Sequence, residues 1–81
     1  SGDQVKGKVI VQITVPADAV TDGTSKIKFD GSEPSTPTLT NRSDIYLAID
    51  MSQSGQKVIT IDKDGDWSST TNDVYTLTVK W

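Results

Sequence analysis

Three aspartates at alternate positions, Asp62, Asp64 and Asp66, are the densest group of metal-type ligands in this sequence. Their spacing is that of the first oxygen donors of an EF-hand calcium loop, and Asp73 falls at the position of its last donor. The rest of the loop departs from that pattern. Trp67 stands where the sharp bend needs glycine, Asp73 replaces the bidentate Glu, and both flanks read as strands rather than helices. Lys63-Asp64-Gly65-Asp66 therefore reads first as a solvated hairpin turn, because Asp-Gly accepts backbone conformations that most residues resist. Loose Ca²⁺ binding is the alternative, and no other cofactor is expected.

Catalytic chemistry has little to work with. The chain has neither His nor Cys, which removes imidazole general bases, His-containing triads and thiol nucleophiles. Ser54-Gly55-Gln56-Lys57 spells Ser-x-x-Lys, but in a turn rather than at the start of a helix in a large domain. One Glu (Glu33) and ten Asp, placed mostly on turns, do not suggest an acid–base pair. The expectation is a protein that is not an enzyme. Among the aromatics, Tyr75 and Trp81 share the parity of the core. Tyr46 and Trp67 do not, and these two would form a sugar-stacking platform if one exists. Asn41-Arg42-Ser43 matches the N-glycosylation acceptor pattern on an expected loop.

The elements that would position these residues are strands. Ile45, Leu47, Ile49 and Met51 alternate with Tyr46, Ala48 and Asp50, giving one dry and one wet face. Residues 5–16 alternate as well: Val5, Val9, Val11, Ile13 and Val15 share one parity, interrupted by Gly7, and Pro16 ends the run. Ile10 breaks the pattern, since an apolar side chain there points to the wet face. Lys26-Ile27-Lys28-Phe29, residues 57–62 and residues 74–81 repeat the alternation, and Trp67-Ser68-Ser69 could open a further short strand. Residues 32–37, with two prolines, read as a crossing loop. No segment shows helical periodicity. Six or seven short strands separated by turns predict an all-β fold, an antiparallel β-sandwich occupying residues 1–81 as a single domain. The expected core is Val9, Val11, Ile13, Phe29, Ile45, Leu47, Ile49, Ile61, Leu77 and Val79. Lys6, Lys8, Lys26 and Lys28 would form a positive strip if the first two strands were neighbours.

With 81 residues the chain buries only about two-thirds of its unfolded surface, and the absence of Cys removes disulfides as reinforcement. Eight basic and eleven acidic residues give a net charge of −3, against a nucleic-acid partner. No apolar run approaches the roughly 20 residues that span a bilayer. The chain begins Ser1-Gly2-Asp3 without an initiator Met, which reads as a processed or excised chain.

Ile27-Lys28-Phe29-Asp30-Gly31, then Thr38-Leu39-Thr40-Asn41-Arg42-Ser43, then Ile45-Tyr46-Leu47-Ala48-Ile49 resemble the Ig-like β-sandwich domains of microbial surface proteins. Gly65-Asp66-Trp67-Ser68 followed by Tyr75-Thr76-Leu77-Thr78-Val79 looks like the closing hairpin of such modules. The resemblance covers about half the chain. It lacks the Cys–Trp–Cys arrangement of antibody domains, implies architecture and an extracellular or surface setting, and brings no binding residues with it. Two functions are expected from the whole. The first is a structural or assembly module of a filament, an adhesin stalk or a virion surface. Its partners would be other subunits or domains, homo-oligomeric ones included, and Val9, Ile10 and Val11 would sit in the contact. The second is a module that binds carbohydrate or a host surface through exposed Tyr46 and Trp67.

Overall fold

The computed structural model describes residues 7–67 and 73–81, and the fold it shows is all-β. Five strands are present among the described residues: β1 (Lys8–Ile13), β2 (Lys26–Phe29), β3 (Ile45–Asp50), β4 (Gln56–Asp62) and β5 (Val74–Lys80). The helical content among the described residues is one 3-10 turn at Ala17–Ala19. β1 pairs antiparallel with β3, and β2, β4 and β5 form a second antiparallel sheet with β4 in the middle. The chain therefore changes sheet at each of its first three connections.

Register follows the apolar pattern, because a slip of one residue would turn every buried side chain to water. Ile45, Leu47 and Ile49 are buried on β3 and face the same side as their partners Ile13, Val11 and Val9 on β1. In the other sheet Ile27 lies opposite Ile61, and Ile59 lies between Phe29 and Leu77. The two sheets share one apolar cluster, in which Ile45 from the first meets Ile27, Ile59 and Ile61 from the second. Three of its buried members, Val15, Val20 and Leu39, come from connecting segments. The stretch 37–39 also covers the free edge of β2: the Ile27 N–H donates to the Pro37 carbonyl at 3.0 Å, and the Leu39 N–H to the Ser25 carbonyl at 2.8 Å.

The two sheets are tied again at the chain's end. The Trp81 indole N–H donates to the Asp50 carbonyl at 3.1 Å, joining the end of the second sheet to the end of β3. The Trp81 ring lies against Gly55, whose backbone exchanges hydrogen bonds of 2.9 and 3.1 Å with that of Trp81. A Cβ at position 55 would collide with the indole.

The expected core needs correction at its rim. Val9 points inward but is 43% exposed, because β1 pairs with β3 alone and lies at the margin of the facing sheet. Val11, Ile13, Phe29, Leu77 and Val79 are half-buried for a related reason, being on strands that form sheet edges. Met51 leaves the dry face altogether. β3 ends at Asp50, whose carboxylate accepts the Ser52 N–H at 3.0 Å and so turns the chain before Met51. The lysine strip does not form, since β1 and β2 belong to different sheets, and Lys6 lies outside the described residues. Trp67 is in a turn, and Ser68 and Ser69 also lie outside the described residues.

Candidate functional site

The outward face of the β1–β3 pair carries the residues expected to make contacts. Pairing places Lys8 opposite Asp50, Ile10 opposite Ala48 and Gln12 opposite Tyr46, all pointing away from the shared core. Ile10 is 69% exposed and Tyr46 55%, the largest exposures among the big apolar and aromatic side chains of the strands. Antiparallel alternation accounts for this. Once Val9, Val11 and Ile13 face the core, Ile10 has only the solvent side left. A recess of about 430 Å³ lies at this end of the pair, lined by Lys8, Val9, Ile10, Ala48, Ile49 and Asp50. The three residues expected in a contact thus divide: Ile10 lies fully on the outward face, Val9 on the margin, and Val11 faces inward and is half-buried.

Asp50 is held in its charged form. The Ser52 hydroxyl and N–H both donate to its carboxylate, and Lys8 across the strand pair adds a favourable charge, so its pKa is lowered. Lys8 forms no salt bridge among the described residues and points into solvent.

The aspartate turn is organised around a buried carboxylate. Asp62 is buried, 1% exposed, with one carboxylate oxygen accepting the Asp64 N–H at 3.0 Å and the other without a hydrogen-bond partner among the described residues. Buried Ser25 anchors the turn from the side, accepting the Thr21 N–H and donating to the Lys63 carbonyl, each at 2.8 Å. Gly65 has φ +68°, the left-handed conformation expected of Asp-Gly. The Asp64 carboxyl reaches across to that of Asp73. No group of three or more carboxylates suited to a metal ion occurs among the described residues.

That reach has a pH consequence. Asp64 shares a side-chain hydrogen bond with Asp73, is partly desolvated and faces the charges of Asp73 and Asp62, so its pKa is raised. A carboxyl that holds its proton more tightly folded than unfolded burdens the fold once ionised. The burden is absent below the unfolded pKa and complete above the folded one. Asp64→Asn should therefore raise the melting temperature at neutral pH, and the gain should vanish at pH values well below the ordinary carboxylate range. Thermal melts across that range check it, and a variant less stable than wild type at neutral pH would contradict the repulsion argued here.

Tyr46 and Trp67, the two aromatics of the expected platform, have different immediate neighbours. Lys28 points outward from the three-stranded sheet, and its ammonium sits 4.3 Å from the centroid of the Trp67 ring. The indole N–H donates to Glu33 at 2.8 Å. Trp67 thus lies against Lys28 and Glu33, whereas Tyr46 projects from the outward face of β3 opposite Gln12. In the sequence Trp67 looked like a free platform, since nothing there placed Lys28 and Glu33 beside it. Asn41 is exposed, and its side-chain oxygen accepts the Ser43 N–H at 2.8 Å. No protein-family model, curated protein or solved structure matches this chain.

Proposed function

We propose that this chain is a non-enzymatic assembly module of Ig-like architecture, a building unit of an extracellular or surface-exposed structure. The observation that carries the reading is Ile10, an isoleucine set in the middle of a strand face and left 69% open to solvent. On a solvated sheet face such a side chain contributes only its strand preference, whereas a contact with a neighbouring subunit or domain would bury it. Strand pairing supports the architectural half. β1 with β3, and β2 with β4 and β5, are the pairings of strands B with E, and C with F and G, in an immunoglobulin sandwich. The surface setting rests on the sequence resemblance to microbial Ig-like modules, an argument by analogy.

The test uses the protein in the material that makes it. A photo-crosslinking amino acid in place of Ile10 should yield protein adducts in intact cells or particles. A membrane-impermeant amine label should reach the exposed lysines without permeabilisation. Absence of adducts at position 10 would sink the contact, and labelling that appears only after permeabilisation would sink the surface setting.

A further inference from the structure

The outward face of the β1–β3 pair is complementary to itself. Two of its cross-strand pairs join unlike partners: a cation with an anion at Lys8–Asp50, and a large apolar side chain with a small one at Ile10–Ala48. A two-fold axis lying along the strands, in the plane of contact, sets β1 of one copy over β3 of the other. Lys8 then meets Asp50 of the second copy, twice, and Ile10 fills the space above Ala48 of the second copy, twice. Sheets stacked in this aligned way sit about 10 Å apart with strands within about 30° of each other, a separation that a lysine and an aspartate side chain bridge between them.

We propose that this face docks a second copy of the same chain, back to back, through reciprocal Lys8–Asp50 ion pairs around an Ile10–Ala48 centre. The inference rests on the contact reading above and names its partner. Self-complementarity favours a second copy over a different protein: an isologous contact needs only one surface, already present in full. The surroundings agree with this. Lys8 has no salt bridge of its own among the described residues, and Asp50 is kept ionised by Ser52. The face is small. Six residues of strand extend about 20 Å, and the half-dozen side chains on it fall well short of the roughly 20–30 residues a side of a standard interface. Association is therefore weak and fast for the free chain, and becomes strong only when copies are held close together, as along a filament or a crowded surface.

Sedimentation equilibrium from about 10 μM to about 1 mM, where weak dimers become visible, tests the proposal. Wild type should rise in mean mass with concentration. Lys8→Glu and Asp50→Lys should each weaken self-association at least tenfold, because both reciprocal pairs then become like-charged. An equimolar mixture of the two variants should recover it. In the mixed dimer the carboxylate introduced at position 8 of one chain meets the ammonium introduced at position 50 of the other, and the native Asp50 meets the native Lys8. If circular dichroism shows that Asp50→Lys has lost its fold, Ala48→Arg replaces it: that position is exposed, and association that survives an arginine there overturns the proposal. A wild type still monomeric at the highest concentration, or folded variants that fail to recover on mixing, would also overturn it. Neither result touches the contact reading itself, which stands or falls on whether position 10 crosslinks to any protein in the native setting.

Discussion

Replacing Ile59 with alanine should destabilise the protein by about 2–5 kcal/mol, the range for deleting most of a fully buried aliphatic side chain. Ile59 is completely inaccessible, on the middle strand of the three-stranded sheet, between Phe29 and Leu77 and in the same cluster as Ile45. Strands hold all three neighbours in place, so the cavity cannot close by local collapse. A domain of this size has a total stability of about 4–12 kcal/mol, so the variant should lie near the edge of folding. Urea denaturation measures the loss as a shift in midpoint. Ile10→Ala is the internal control: the same residue type on an exposed face should change the stability by no more than about 0.5 kcal/mol. Comparable losses at the two positions would contradict the assignment of inward and outward faces.

Gly65→Ala should be the most damaging of the single-methyl substitutions at positive-φ glycines. The backbone at Gly65 has φ +68°, where an L side chain costs about 1–2 kcal/mol. The added Cβ would also stand 2.5 Å from the Thr24 carbonyl oxygen. That oxygen belongs to backbone, next to a serine clamped by two hydrogen bonds, and it has no easy way to retreat. Together the two effects should cost about 2–4 kcal/mol. Gly31→Ala separates them, because Gly31 has φ +86° but nothing within 4 Å of its would-be Cβ. Equal losses in thermal melts of the two variants would show that backbone conformation alone matters and that the Thr24 contact does not.

Much of this fold was legible because alternation is a local property. The strand at Lys26–Phe29 and the buried row Ile45, Leu47, Ile49 can be read from residue order alone, since a period of two fixes which side chains share a face. What was not legible is non-local. Val15, Val20 and Leu39 complete the core from segments without periodicity, and their burial depends on where the chain crosses between sheets. Strand order was hidden for the same reason. The lysine strip required β1 beside β2, and β1 pairs with β3 instead. Asp62 read as an exposed turn carboxylate, but the Ser25 segment folds over it, and nothing near Asp62 in sequence announces a residue so far upstream. Of the residues proposed for a contact, Ile10 was marked by its wrong parity alone. Its pairing with Ala48 emerges only once β3 is known to be its neighbour.

The two tryptophans give the protein a pair of built-in optical reporters with separate subjects. Trp81 is bonded to the Asp50 carbonyl and rests on Gly55, so its emission follows whether the two layers remain docked at that end. Trp67 is stacked under the Lys28 ammonium and bonded to Glu33, so its emission follows the attachment of the loop that bears Glu33. Phenylalanine at one position leaves the other indole to fluoresce alone. Comparing the two single-indole proteins through a denaturant series would then reveal whether the loop peels away before the layers part.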